Sequence, residues 1–132
     1  MDRNNILRVF KIATVIAGLA LAAAALKAGE PWELWWWAMA LPVIAWMIGP
    51  GAAAYFIAAE RPSNPRLLAM GVYFTAFVVS GALGYYDGLI SPEGSTAGLV
   101  VIFLPLYQWG AFLAVLLLLA GVEWLSNRRS QS

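Results

Sequence analysis

The chain contains no cysteine and no histidine. Disulfide bridges and thiolate chemistry require cysteine, and catalytic triads of the Ser-His-Asp or Cys-His type require histidine. Zinc ribbons and haem sites draw most of their ligands from the same two residues. These absences exclude those classes of site, and we expect no metal site, no cofactor and no catalytic residue.

Charged residues are also scarce. They make up 11% of the 132 residues, whereas 62% of the residues are hydrophobic. A soluble domain carries about 25% charged residues. A globule of this size cannot hide so much apolar surface from water, but a bilayer solvates it. No basic patch is long enough to bind nucleic acid, so we expect membrane lipids as partners and no nucleic acid.

Four apolar stretches are long enough to cross a membrane. They predict helices at residues 6–28, 32–59, 67–86 and 97–124. A helix of about 20 residues spans the hydrocarbon core. Polar, turn-rich segments separate the second helix from the third and the third from the fourth. We therefore predict one transmembrane domain over residues 1–132, an all-α membrane protein formed by an antiparallel bundle of four transmembrane helices.

The first apolar stretch has an alternative explanation. A basic start, 15 uncharged residues from Ile12 to Leu26 and an alanine-rich end also resemble a cleavable signal peptide. An uncleaved helix is favoured, because cleavage near Ala25 would leave an odd number of spans and a less balanced charge distribution.

The positions of the basic residues predict an orientation. If four spans alternate, seven of the eight basic residues lie on one side. These are Arg3, Arg8, Lys11, Arg61, Arg66, Arg128 and Arg129. Basic residues in short loops stay in the cytoplasm. Both termini are therefore predicted to be cytoplasmic, and we expect a bacterial inner membrane from the short length and the Ala-, Gly- and Trp-rich composition.

Tryptophans are concentrated at the start of the second helix. The stretch 32–59 holds five of the seven tryptophans and a single charge, Glu33. We select Trp35 and Trp36 as candidate interaction residues, because tryptophan is enriched at contact sites. The alternative is anchoring at the membrane–water interface. Successive residues point about 100° apart on a helix, so these tryptophans cannot all face the bundle.

Gly49, Pro50 and Gly51 interrupt the second helix from within. Proline removes a backbone hydrogen bond, so we expect a kink or a short unwound stretch. Broken helices bind substrates in transporters. The alternative is a kink that only serves packing.

Gln108 is the most polar side chain expected near the membrane midplane. It lies eleven residues into the fourth helix, at a depth of about 16 Å. It could line a permeation path or bind a ligand, and it could approach the break at Gly49–Gly51. The alternative is an interhelical hydrogen bond, with Ser80 and Thr75 as candidate partners.

Asp87 follows Tyr85 and Tyr86, two aromatic residues expected at the aqueous interface. These three residues could contribute to a proton or cation site, which Glu93 could join through the loop. The alternative is a solvated turn at the end of a helix.

Small residues suggest where backbones approach each other. Ala76, Ser80 and Gly84 recur every four residues, which predicts that the first and third helices form the close-packed centre. Gly29 is expected to end the first helix in a left-handed conformation.

These features favour a small integral inner-membrane protein that acts through helix–helix or protein–protein contacts, without catalysis. An accessory subunit, an assembly factor and an immunity-type protein all fit this description. The alternative is an oligomeric channel or transporter whose path runs near Gln108 and the break at Gly49–Gly51. An enzyme that acts on lipids through Asp87 and Glu93 is a third, less favoured hypothesis.

Overall fold

The computed structural model describes residues 2–90 and 97–130. Its four long helices are, in chain order, α1 (Arg3–Ala28), α2 (Leu34–Glu60), α3 (Asn64–Tyr85) and α4 (Val100–Arg129). A π-helical segment, Tyr86–Ile90, continues α3, and a 3₁₀ turn, Ala97–Leu99, precedes α4.

Each of the four long helices is long and apolar enough to cross a membrane. The shortest of them, α3, has 22 residues, which corresponds to about 33 Å against a hydrocarbon core of about 30 Å. The prediction of four spans is therefore confirmed at the level of length and composition. The chain has the features of an integral membrane protein.

Three helix ends extend by three or more residues beyond the predicted bounds. α1 begins at Arg3 rather than at residue 6, and the other two ends extend for local reasons. α3 begins at Asn64 rather than at residue 67, with Pro65 in its first turn, where a missing N–H costs nothing. α4 ends at Arg129 rather than at residue 124. The guanidinium of Arg128 lies 3.8 Å from the centre of the Trp124 ring one turn earlier. This cation–π contact and the basic residues of the last turn stabilise the end of the helix.

The interior is built on one stripe of α3. Its buried residues recur every three or four positions, which places them on one face. They are Leu67, Met70, Tyr73, Phe74, Phe77, Gly81 and Tyr85. α2 supplies small residues to the same core: Ala54 and Ala58 are fully buried, and Gly51 lies against the ring of Phe77. The aromatic ridge of α3 thus packs on a surface of small side chains.

The expectation that α1 and α3 form the close-packed centre is wrong. On α1, Phe10 is the one buried residue, and its ring lies 4.8 Å from that of Phe74. On α3, Ala76 is exposed, and Ser80 and Gly84 are half-buried. The small-residue surface belongs to α2 instead, because it is α2 that accepts the bulky aromatic side chains of α3.

Two polar contacts bring distant parts of the chain to one end of the molecule. Arg3 Nη1 donates a hydrogen bond of 2.8 Å to the Pro62 carbonyl. Arg66 Nη2 donates to Glu123 Oε1 at 2.6 Å. The start of α1, the connection between α2 and α3, and the last turns of α4 therefore lie together. We call this region the charged end.

Candidate functional site

The first turn of α2 carries side chains that project away from the protein. Trp32 is 94% exposed and Trp35 is 64% exposed, and Leu34 between them is also exposed. Trp32 precedes the helix, which begins at Leu34, so its backbone lies in the connecting turn. We call these three residues the aromatic patch. Its members are large and apolar, which makes them suited to contact a lipid or another protein.

Trp36 and Trp37 are held against the protein instead. The Trp37 indole N–H donates a hydrogen bond of 3.0 Å to the Pro31 carbonyl. The rings of Trp36 and Trp37 meet edge to face with their centres 5.0 Å apart. Of the two candidates selected from the sequence, Trp35 therefore faces outward, and Trp36 packs on the connection between α1 and α2.

Gly29 explains how Trp36 is held. The backbone of Gly29 has φ −107°, so the left-handed cap expected from the sequence is wrong. Glycine is required for space, because a Cβ atom at this position would overlap the Trp36 indole. In the connection between α1 and α2, the Trp36 indole thus packs directly on the backbone of Gly29.

The segment Gly49–Gly51 does not unwind. α2 is helical from Leu34 to Glu60, with Pro50 fully buried inside it. Both glycines make room for neighbouring rings. A Cβ on Gly49 would lie 2.7 Å from Trp109 Cζ2, and one on Gly51 would lie 2.5 Å from Phe77 Cε1. The segment is therefore a contact site for aromatic side chains of α3 and α4.

Gln108 is the buried polar residue that connects α4 to α3. Its side chain is 5% exposed. Nε2 donates to Ser80 Oγ at 3.0 Å and to the Phe77 carbonyl at 3.3 Å. The interhelical hydrogen bond expected from the sequence is thus formed, with Ser80 as the partner. Thr75 donates instead to the Gly71 carbonyl within its own helix.

The main-chain carbonyl of Gln108 also accepts a hydrogen bond from α3. Tyr73 Oη donates a hydrogen bond of 2.8 Å to the Gln108 carbonyl. Tyr73 was not among the residues selected from the sequence, although its spacing of four residues from Phe77 places both on the buried face of α3. Gln108 is therefore fixed to α3 through its side chain and through its main chain.

Some buried polar atoms near Gln108 lack a hydrogen-bond partner within the described part of the chain. They are Gln108 Oε1, Tyr85 Oη and Trp109 Nε1. Tyr85 was expected at the aqueous interface but is only 2% exposed, and it borders an apolar groove of about 290 Å³ between α1 and α3. Its burial follows from its place on the buried stripe of α3, four residues after Gly81.

Asp87 lies on the π-helical segment and is exposed, as is Tyr86. Tyr85 points inward, so the three residues do not form the cluster considered from the sequence. Glu93, the other carboxylate of that hypothesis, lies outside the described residues. Asp87 thus lies on the surface of the protein and not among the packed helices.

Residues 2–90 and 97–130 contain no group of three or more His, Cys, Asp or Glu side chains placed to hold a metal ion. Comparison with known protein families, with characterised proteins and with solved structures finds no match for this chain. A functional conclusion therefore rests on the geometry of the chain alone.

Proposed function

We propose that this chain is a small integral membrane protein that binds another membrane protein, or a second copy of itself, without catalysing a reaction. The observation that carries the proposal is the aromatic patch, in which Trp32, Leu34 and Trp35 project from the fold. Accessory subunits, assembly factors and immunity-type proteins all act through such contacts. Exposed aromatic anchors supply most of the binding energy at many protein interfaces.

The fixed tryptophans next to the patch support this proposal. Trp36 rests on Gly29, and Trp37 is bonded to Pro31, so the helix turn that carries Trp35 has a defined orientation. A surface that is rigid before binding loses less conformational entropy when a partner docks. Anchoring to lipid headgroups requires no such fixed orientation and is the competing explanation.

We also propose an antiparallel bundle with both termini in the cytoplasm of a bacterial cell. The contacts between Arg3 and Pro62 and between Arg66 and Glu123 support an arrangement in which successive helices alternate in direction. Seven of the eight basic residues would then lie at the charged end. The positive-inside rule assigns that end to the cytoplasmic face of the inner membrane, and the aromatic patch to the opposite face.

The experiment compares two exposed tryptophans at opposite ends of the molecule. The full-length chain is produced in its native membrane, extracted in detergent and analysed by native mass spectrometry. We expect one partner at fixed stoichiometry with the unaltered chain and with Trp124→Ala, and loss of that partner with Trp35→Ala. Trp124 is exposed like Trp35 but lies in the last turns of α4.

A chain that purifies as a monomer without a partner would contradict the proposal, as would equal behaviour of the two variants. The channel or transporter alternative receives less support, because the side chain of Gln108 is buried and bonded to α3 within one chain. A solute flux across reconstituted vesicles that Gln108→Leu abolishes would establish that alternative and overturn ours.

A further inference from the structure

A cavity of about 310 Å³ lies at the charged end, between the last turn of α2, the start of α3 and the last turns of α4. Its volume is at the lower end of the range for small-ligand sites, roughly 300–1,000 Å³. Four charged residues line it: Glu60, Arg61, Arg66 and Glu123. The two positive and two negative charges sum to zero. The cavity therefore offers both signs of charge within the space of one small ligand.

Two of these charges are fixed by the fold. Arg66 and Glu123 form the 2.6 Å ion pair between α3 and α4, and the Arg66 side chain is only 15% exposed. Arg66 Nε is buried and has no hydrogen-bond partner among the described residues. This pair places a guanidinium with unused hydrogen-bonding capacity next to a carboxylate.

The other two charges are free. Glu60 and Arg61 are exposed, and neither side chain has an ion-pair or hydrogen-bond partner in residues 2–90 and 97–130. They follow one another at the end of α2, so they can turn toward a bound molecule without breaking a contact of the fold. Each sign of charge is thus present once in a fixed position and once on an unpaired side chain.

The remaining wall of the cavity is apolar. Ile57 of α2 and Leu116 and Leu119 of α4 contribute to it, and they lie nearer the middle of their helices than Glu60 and Glu123 do. A matching ligand has an anionic group that binds the guanidinium groups and a cationic donor that binds the carboxylates. It also has an apolar chain that packs on the apolar wall. We propose that this cavity binds the headgroup of a zwitterionic phospholipid with a primary ammonium group, as in phosphatidylethanolamine.

The chemistry distinguishes this lipid from the other common headgroups. Arginine binds phosphate oxygens through paired N–H groups, and a primary ammonium offers three N–H donors to carboxylates. A choline headgroup has no N–H to donate, so Glu60 and Glu123 would gain no hydrogen bond. An anionic glycerol headgroup can pair with the guanidinium groups, but it has no ammonium group for Glu60 and places its negative charge next to that unpaired carboxylate.

This inference rests on the placement of the chain in a membrane and not on the proposed partner. The aromatic patch lies at the start of α2 and the cavity lies at its end, next to α3 and α4, so a failure of partner binding leaves the lipid site in place. The reverse also holds, because loss of lipid binding at Glu60 and Arg61 leaves Trp35 untouched.

The test uses the purified full-length chain, freed of lipid in detergent and titrated by native mass spectrometry with three phospholipids of identical acyl chains. These carry ethanolamine, choline and glycerol headgroups. We expect the ethanolamine lipid to bind about five- to tenfold more tightly than the choline lipid, since screened charge contacts at a surface are modest. Glu60→Gln and Arg61→Gln should each remove most of this preference.

Both variants are expected to keep the unfolding temperature of the unaltered chain, because neither side chain holds the fold together. Arg8→Gln is the matched control: it removes a positive charge from an exposed position of α1 that does not line the cavity, and it should keep the preference. Equal binding of the three lipids, stronger binding of the glycerol lipid, or an unchanged preference in Arg61→Gln would overturn the proposal. Soluble glycerophosphoethanolamine that competes as well as the lipid would show that the ligand is not a lipid.

Discussion

Helices α1 and α3 are both apolar enough to cross a membrane, but α3 buries far more of its residues than α1 does. Over its most apolar 18 residues, α1 has the higher mean hydropathy of the two. Among the described residues, α1 buries only Phe10, whereas α3 buries seven residues. In a soluble protein the more apolar helix would be expected inside. In this chain apolarity does not indicate burial.

The difference follows from the solvent. Lipid tails solvate leucine, isoleucine and alanine as well as a protein interior does, so these residues gain nothing by leaving the bilayer. Burial does lower the free energy of aromatic rings that fit a surface of small residues. It also lowers the free energy of polar groups that find a hydrogen-bond partner inside the protein. α3 has Phe77 against Gly51 and Ser80 bonded to Gln108, whereas the outward residues of α1 are mainly simple aliphatic side chains.

The strongest way to test this contrast is to remove one large side chain from each helix. Phe77→Ala on α3 should lower the free energy of unfolding by about 3 kcal/mol, because it opens a cavity in the core. Leu19→Ala on α1 removes an exposed side chain, so we expect a change below about 0.5 kcal/mol. Both are measured by reversible unfolding in detergent micelles. Equal losses would show that α1 is packed as tightly as α3.

A second prediction adds one methyl group at the contact between α2 and α3. In Gly51→Ala the new Cβ would lie 2.5 Å from Phe77 Cε1 of a buried ring, and we expect a loss of about 2 kcal/mol from overpacking. Gly71→Ala is the matched control, since nothing lies within 4 Å of its Cβ position.

Combining the changes sharpens this prediction. In a Phe77→Ala background the ring is absent, so Gly51→Ala should cost much less than it does alone. Strictly additive losses would mean that Phe77 does not limit the space at Gly51.

The smallest expected effect concerns the polar link between α3 and α4. Gln108→Leu removes two hydrogen bonds to α3 but also removes Oε1, a buried acceptor without a described partner. Interhelical hydrogen bonds in membranes average about 0.6 kcal/mol, so we expect a loss below about 1 kcal/mol. Thr75→Val, which removes a hydroxyl bonded within α3, should change stability even less. A loss above that of Gly51→Ala would show that the polar link, rather than aromatic packing, holds α3 in place.

The sequence predicted the number of spans because long apolar stretches bounded by polar turns have one structural solution in a bilayer. An interhelical hydrogen bond of Gln108 to Ser80 or Thr75 was also expected as the alternative to a permeation or ligand role, since a polar side chain inside a membrane needs a partner; the structure forms the bond to Ser80. Which face of each helix turns inward was not predictable, because α2 and α3 are apolar on all sides. Tyr85 illustrates this: its neighbours in sequence indicate an interface residue, and its position on the helical stripe makes it buried.

Two glycines show a second limit to what the sequence can predict. Gly29 and Gly51 have no conformational requirement for glycine, since the described glycines all have negative φ. Each is needed because an aromatic ring from elsewhere occupies the place of its Cβ. Such a requirement depends on a partner that sequence spacing does not identify. The ion pair of Arg66 with Glu123, 57 positions apart, was missed for the same reason.

The contact between Gly29 and Trp36 has a consequence for the order in which the helices pack during synthesis. These residues are seven positions apart, so their contact can form as soon as α2 has been synthesised. The 25 residues from 61 to 85 must still be added before α3 is complete. At roughly 5–20 residues per second, their synthesis takes about 1–5 s. The hairpin of α1 and α2 therefore has seconds to settle before the aromatic ridge of α3 arrives to pack on it.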